Sequence, residues 1–330
     1  MSTLPGRLLA QADPAGGGSF WLPPEASHAA GVSDAVFYFI YGVSAFFFCL
    51  IVALMIYFII RYRQRRAGDP ALSQVSHHTG LEITWSAIPL ILVVLMFLMG
   101  FRGFLGVVTP ERNALHIRVT GQKWVWAFKY PSGHVDSELH LPVGTPVRLT
   151  LESADVIHSL WIPAFRIKRD AVPGRYNQMA VTATTPGEYL AVCAEYCGTN
   201  HSNMVARVVV HPSGEYEKWL AEASDLFRTR SPVEVGAFLV KNRCGGCHSV
   251  DGKANVGPTL KGIYEHPVQL ADGQTVTADD NYLRESIVDP RAKVVKGYEP
   301  LMPTFKGQLK DREITAIIDY IKELSQEDAK

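Results

Sequence analysis

Two short stretches carry most of the reactive side chains of this 330-residue chain. The first, Cys193-Ala194-Glu195-Tyr196-Cys197-Gly198-Thr199-Asn200-His201-Ser202-Asn203-Met204, holds two thiols, an imidazole and a thioether. Soft sulfur with nitrogen selects copper or zinc over hard cations. A thioether favours copper, since zinc sites use Cys, His and carboxylate whereas electron-transfer copper takes a weak axial Met. His158, in Asp155-Val156-Ile157-His158-Ser159-Leu160-Trp161-Ile162-Pro163, is expected to supply the missing ligand from a loop upstream. Two Cys, two His and one Met exceed what a single blue-copper centre needs, so two thiolates suggest two coppers sharing the sulfurs. A Cys2His2 zinc site and a Cys193–Cys197 disulfide are the competing readings.

The second stretch, Cys244-Gly245-Gly246-Cys247-His248, is C-x-x-C-H, the pattern of covalent haem attachment through two thioethers, with the imidazole on iron. Met302, in Pro300-Leu301-Met302-Pro303-Thr304-Phe305, is suited to complete Met/His ligation; core filler is its plain alternative.

These groups need elements to position them. Val36 to Ile60 carries no charge and is long enough to cross a hydrocarbon core; Ile83 to Phe101 is a second uncharged run, with Pro89 near its start. Arg61, Arg63, Arg65 and Arg66 follow the first run, so the positive-inside rule puts the connecting loop in the cytoplasm and both chain ends on the opposite side. Cys49, inside the first run, reads as a small buried hydrophobe. Residues 1–30, rich in Gly, Pro and Ala without a signal-peptide core, read as an extended lead-in. Glu82, opening the second run, either caps a helix at the headgroups or marks a proton path.

Beyond Pro110 the pattern changes to short alternating segments: Leu115–Thr120, Trp124–Tyr130, Pro146–Leu151, Asn177–Thr182, Glu188–Val192 and Val205–Val210. They predict an antiparallel sandwich or barrel. Trp124, Trp126, Phe128 and Tyr130 share one strand face, as core packing or as a surface for electron entry. In the last hundred residues, Ser231-Pro232-Val233-Glu234 predicts a capping box opening a helix that runs toward Cys244. Ile314, Ile317, Ile318, Ile321 and Leu324 form a helical stripe after an Asp311 cap. Lys plus Arg and Asp plus Glu both total 32, so no global field points to nucleic acid. No second histidine constellation is recognisable for oxygen reduction.

The hairpin, the His-Ser-Leu-Trp-Ile-Pro loop, Asp170-Ala171-Val172-Pro173-Gly174-Arg175 and the Cys-x3-Cys-x3-His-x2-Met loop closely resemble subunit II of cytochrome c oxidase over residues 36 to about 215. The resemblance implies a dinuclear copper centre, CuA, in a cupredoxin-like fold. It makes Cys193 and Cys197 the bridging thiolates, His158 and His201 terminal ligands, Met204 a weak ligand and Glu195 a ligand through its backbone carbonyl. It also implies a magnesium ion at the border with subunit I through the Glu195 side chain, electron entry at Trp124 and a proton-channel mouth at Glu82. Where the family usually has Gly-His-Gln-Trp-Tyr-Trp, this chain has Gly121-Gln122-Lys123-Trp124-Val125-Trp126.

Residues 230 to about 325, including Gly257-Pro258-Thr259-Leu260, resemble a class I cytochrome c, with haem on Cys244, Cys247, His248 and Met302. Together the two resemblances imply the oxidase variety with a fused cytochrome c. The expected organisation is an N-terminal extended segment (1–35), a transmembrane helical hairpin (36–108), an all-β cupredoxin-like domain (109–222) and an all-α cytochrome c domain (230–330). The expected function is electron relay from an external donor through haem c to CuA and on to subunit I, where oxygen is reduced. Expected partners are subunit I, further membrane subunits, and a soluble cytochrome c, another periplasmic carrier or a bc1-type complex as donor. The expected location is a bacterial inner membrane. A nitric oxide reductase subunit and a free-standing membrane-tethered carrier are the alternatives.

Overall fold

The computed structural model describes residues 18–326 apart from 67, 69–72, 74 and 229. The expected lead-in over residues 1–17 lies outside the described residues. Two long helices, α1 (His28–Tyr62) and α2 (Thr79–Val108), pack as a hairpin, and each is long and apolar enough to cross a membrane. Ile51, Phe58, Ile91 and Phe97 lie exposed on their surfaces, as lipid-facing side chains must, and the protein is a membrane protein. Cys49 is exposed on α1 as well, against the expectation of burial, because it sits on this outer surface.

Helix α1 starts at His28, well before Val36, so the extended segment expected to reach residue 35 ends earlier. Ser27 caps it by accepting a hydrogen bond from the Ala30 N–H, and the first turns rest on protein. Within those turns Asp34 is buried against Arg166, whose Nε and Nη2 donate to the two carboxylate oxygens at 2.8 Å each. Arg166 also donates to the Pro163 and Pro23 carbonyls, and Ser27 Oγ donates to the Phe165 carbonyl. These bonds hold Arg166 in the left-handed region (φ 54°), which few residues other than glycine adopt. The membrane hairpin is thereby clamped to the β domain.

That domain is a sandwich of two five-stranded sheets. Its strands are β1 (Leu115–Gln122), β2 (Val125–Lys129), β3 (Val135–Asp136), β4 (Leu139–Pro142), β5 (Pro146–Ser153), β6 (His158–Ile162), β7 (Ile167–Ala171), β8 (Asn177–Thr182), β9 (Gly187–Cys193) and β10 (Val205–His211). The sheet orders are β3-β2-β1-β5-β8 and β4-β10-β9-β6-β7. The sandwich is mixed rather than antiparallel, since β1 pairs parallel with β5, and β10 with β4. In both cases the chain passes through other strands before returning to a free edge in the original direction. Trp124, Trp126, Phe128 and Tyr130 are all buried, so the aromatic row is core.

The remainder is mainly helical. Helix α3 (Glu215–Ser224) leads to α4 (Pro232–Leu239), which opens with the predicted capping box and continues into a π-helical turn, Val240–Cys244. A small hairpin, β11 (Pro267–Gln269) and β12 (Thr275–Thr277), precedes α5 (Asp280–Val288) and α6 (Asp311–Gln326). The predicted isoleucine stripe of α6 is buried. Asp311 is the first helical residue and not the cap; Glu313 instead reaches back to the Lys310 N–H, while Asp311 pairs with Arg284. Helices α4 and α6 cross so closely that a Cβ on Gly236 would lie 2.0 Å from the Ala316 carbonyl oxygen, which only glycine permits.

Replacing Arg166 by Ala leaves Asp34 buried without a partner. It is expected to destabilise the β domain by about 3–5 kcal/mol, the cost of breaking a buried ion pair from one side. Denaturant unfolding of the detergent-solubilised chain measures this. A loss below about 1 kcal/mol, the range of a surface pair, would show that the clamp is not formed.

Candidate metal centre and haem crevice

The sulfur-rich loop joins β9 to β10, and backbone hydrogen bonds fix both of its ends. Cys193, the last residue of β9, donates its N–H to the Met204 carbonyl, and a short 3-10 turn, His201–Asn203, brings the chain back. The Ala194 N–H donates to the Ser159 carbonyl, tying the loop to β6. His158 opens β6 rather than lying in a loop, and Leu160 pairs with Cys193 across to β9. Strand register therefore carries the imidazole to the thiols.

Cys193 Sγ lies 3.8 Å from Cys197 Sγ and 4.0 Å from His158 Nδ1; Cys197 Sγ lies 3.5 Å from His201 Nδ1 and 3.8 Å from Met204 Sδ. Cys193 Sγ also donates to the Glu195 carbonyl at 3.2 Å, while the Glu195 side chain is exposed. Both thiols are free and buried, and the donor atoms of His158, Cys193 and Cys197 all lie within 4.8 Å of one another. The six groups expected as copper ligands thus meet in one place.

Asp155, which sequence reasoning passed over, orients this set. His158 Nε2–H donates to Asp155 Oδ1 at 2.8 Å, leaving Nδ1 directed at the thiols, the carboxylate–imidazole arrangement typical of metal ligands. The Lys123 and Val156 N–H groups also donate to Asp155; burial pushes its carboxyl up, but these bonds and His158 outweigh it and hold it low. Its position three residues before His158 is the signal that could have found it.

Electrostatics separate the two thiols. Burial pushes Cys193 up, but hydrogen bonds with His158 and with the Ser159 and Glu195 backbones outweigh this and bring it down to about 6. His158 moves the opposite way: burial lowers it, and its bonds to Asp155 and Cys193 raise it further than that. Cys197 is pushed up to about 12, first by burial and then by the charge on Cys193. One thiolate forms readily; a second beside it needs a cation.

The C-x-x-C-H cysteines behave differently. Burial pushes Cys244 up to about 12 and raises Cys247, with no imidazole bonded to either sulfur. Neutral, apolar-buried thiols are poor metal ligands, since a metal takes the thiolate. They line a crevice with His248, Met302, Leu260, Tyr282 and Phe305. His248 Nδ1–H donates to the Pro258 carbonyl at 2.7 Å, which fixes the tautomer and frees Nε2 for iron, and burial keeps the ring neutral. A Cβ on Gly257 would lie 2.6 Å from this ring, so glycine there makes the room.

The cysteine–histidine cluster and the C-x-x-C-H crevice share a wall. Lys123 and Val125 line the haem crevice, while Trp124 between them turns the other way and donates Nε1–H to the Cys197 carbonyl at 3.2 Å. Glu82 stands apart, at the first turn of α2, where its carboxylate accepts the His78 N–H at 3.0 Å and His78 Nδ1 in turn accepts the Leu81 N–H. A further histidine group, not anticipated, surrounds Trp219 of α3. His140 stacks on the indole at 3.8 Å, bonds His211 at 2.8 Å and faces Glu138, and His134 bonds Asp136. Its ring nitrogens serve packing between β4, β10 and α3.

Residues 20–102 match the family described as "Cytochrome C oxidase subunit II, transmembrane domain", residues 132–211 its "periplasmic domain", and residues 233–325 the family "Cytochrome c". The chain is 31% identical over 290 residues to a cytochrome c oxidase subunit 2 from Alkalihalophilus pseudofirmus, covering 83% of this chain and 82% of the relative. It is 29% identical over 248 residues to the cytochrome c oxidase subunit 2 of Synechocystis, covering 61% and 75%. Among solved structures, the periplasmic domain of subunit II of cytochrome oxidase of Bradyrhizobium japonicum is 32% identical, with a TM-score of 0.34, covering 36% of this chain and 98% of that one.

Metal uptake at the β9–β10 loop is expected to release protons and to strengthen as pH rises. Cys197 must lose its proton at any pH below about 12, and in acid the His158–Cys193 pair must lose its own as well, so the dependence steepens toward pH 6 and below. Chelator-competition titrations at stepped pH measure the slope. An affinity flat with pH would mean that the thiols are not ligands.

Proposed function

The chain belongs to the cytochrome c oxidase subunit II family, and from that premise we propose that it is the electron-entry subunit of a haem-copper oxidase, with the haem crevice upstream of the copper loop. Under this reading His158 Nδ1, His201 Nδ1, the Cys193 and Cys197 sulfurs, Met204 Sδ and the Glu195 carbonyl hold two copper ions. Cys244, Cys247, His248 and Met302 hold haem c. Bound there, each group supplies one-electron redox chemistry. We take the two extramembrane domains to be 109–222 and 230–330, joined through α3.

One observation carries the order of the two sites: Lys123 and Val125 wall the haem crevice while the intervening Trp124 bonds the Cys197 carbonyl. Lys123 and Trp124 form the tight turn between β1 and β2, and there three consecutive residues reach both sites. The departure from the family at Gln122 and Lys123 then has a reason. Lys123 lines the crevice of a haem carried on the same chain, and Gln122 lines a small cavity against the same domain.

The chain's other groups fit the rest of the role. Ile157, Trp161, Tyr176 and Tyr196 are exposed in and around the ligand-bearing segments, an apolar rim suited to burial against subunit I, where oxygen is reduced. The exposed Glu195 carboxylate at that rim is the candidate magnesium contact. The arginines after α1 orient the hairpin with its loop in the cytoplasm, so the copper and haem domains face the periplasm of a bacterial inner membrane. Glu82, at the headgroup end of α2, is the candidate proton-channel entrance. The external donor to the haem is a soluble or membrane-bound cytochrome.

Replacing Trp124 by Phe keeps an aromatic ring and removes the bond to Cys197. Haem-to-copper transfer is expected to slow, because the Trp124 ring loses its bonded link to the backbone of a ligand cysteine. Stopped-flow or flash kinetics, with the haem α-band and the near-infrared copper band followed together, read it. An unchanged rate with both sites loaded would remove Trp124 from the route.

A further inference from the structure

Gly246, inside the C-x-x-C-H turn, sits against the β domain. A Cβ built on it would lie 3.8 Å from Val125 Cγ1, an ordinary van der Waals contact, and would meet no other protein atom within 4 Å beyond its chain neighbours. Val125 opens β2 and lines the crevice together with Cys244 and Cys247. It follows Trp124 in the chain, whose Nε1–H donates to the Cys197 carbonyl at 3.2 Å. The indole is seated there on Gly198, where a Cβ would come within 3.2 Å of its ring; with φ 116° the backbone calls for glycine as well. Covalent bonds and one hydrogen bond therefore join Val125 to Cys197, and a single peptide bond joins Gly246 to Cys247. The one break along this line from Cys247 to Cys197 is the contact between Gly246 and the Val125 side chain.

We propose that the Val125 side chain is the point at which electrons cross from the haem-attachment turn to the copper domain, its γ-methyl closing the gap between Gly246 and the segment that bonds Cys197. This rests on the haem and copper reading proposed above and assigns the crossing point within it. Per event one electron crosses, the haem being oxidised by one and the copper pair reduced by one, with no atom transferred. Tunnelling weakens more per ångström across open space than along bonds, so the width of this gap governs the coupling. Valine suits the place, because branching at Cβ restricts its rotamers and holds Cγ1 toward the turn. Val125 is therefore a positioning residue: it keeps two bonded segments in contact and is a ligand in neither site.

The test uses the full-length chain loaded with haem and copper, in which flash kinetics read haem-to-copper transfer directly. Val125→Ala removes both γ-methyls and is expected to lower the rate. Gly246 lies outside the left-handed region, so alanine fits there, and it returns a methyl from the other side of the gap. Adding Gly246→Ala to Val125→Ala is expected to recover part of the lost rate. A rate unchanged by Val125→Ala, or a double variant as slow as Val125→Ala, overturns the proposal. A merely structural role for Val125 would move the haem potential or the copper resonance spectrum, and neither is expected to shift. Should Val125→Ala shift either one, its comparison with the double variant decides, since both lack the valine. A structure of the loaded parent chain gives a readout independent of kinetics: Val125 Cγ1 is expected to stay in van der Waals contact with Gly246, and a gap wide enough for a water overturns the proposal. Absence of a copper or haem spectrum in the parent chain, or of any transfer between the two when both are bound, would instead defeat the underlying functional reading.

Discussion

Two thiols buried 3.8 Å apart cannot both be ionised unless a cation lies with them, and the β domain is built around that constraint. Where water could solvate the charges, the pair would be unremarkable. Here Cys193 and Cys197 are shielded by the sandwich, and the protein's own compensation, the His158 imidazole with the Ser159 and Glu195 backbones, stabilises one thiolate. A second negative charge is left for metal to neutralise. Each supporting contact then follows: Asp155 holds His158 by its far nitrogen, the Lys123 and Val156 N–H groups hold Asp155, and the Ser159 carbonyl anchors the start of the loop. The ligand set is preorganised by strand register and backbone bonds, so metal binding spends little on ordering the loop.

The same chemistry read in the other cysteine pair gives the opposite answer, which is why the two pairs are not interchangeable. Cys244 and Cys247 sit in an apolar crevice where burial is the largest influence and raises both thiols, outweighing the Arg243 charge beside Cys244. His248, next in sequence, turns away from them, with one nitrogen committed to Pro258. A thiolate-binding metal finds too little there to favour ionisation, whereas a porphyrin fills the apolar volume.

Local sequence showed the hairpin, six of the β-domain strands, the capping box at Ser231 and the α6 stripe, because each is a short-range pattern of charge, alternation or helical spacing. It missed β3, β4, β6 and β7: β3 and β4 are only two and four residues long, and around β6 and β7 Pro163 and the charged run Lys168-Arg169-Asp170 break the alternation that marks a strand. The early start of α1 was hidden for a similar reason. Residues 28–35 have no apolar run of their own, and their helix is held by Ser27 and by Asp34 meeting Arg166, 132 positions away. Ligand identities were legible because soft-metal and haem motifs are spelled in residue types. What aims them was less legible: Asp155 is marked only by its place three residues before His158, and the Asp34–Arg166 clamp depends on packing that no local pattern encodes.

Under the proposed relay, the connection between the domains decides what kind of donor the haem would be. A flexible tether would present the cytochrome at an effective concentration set by linker length, leaving the docked geometry to chance encounters. Here the connecting helix α3 is fastened to the copper domain. Trp219 stacks on His140 and lies against Tyr130, His134 and Tyr216, while Ser224 at the helix end bonds Ser132. Asp225, immediately after, pairs with Arg312 of α6, so the restraint continues into the haem domain. The haem crevice takes two of its wall residues, Lys123 and Val125, from the copper domain. A crevice completed by residues of the β domain leaves the two domains docked in the folded chain. The ordering entropy that a diffusing cytochrome gives up at each encounter is settled once, when the chain folds.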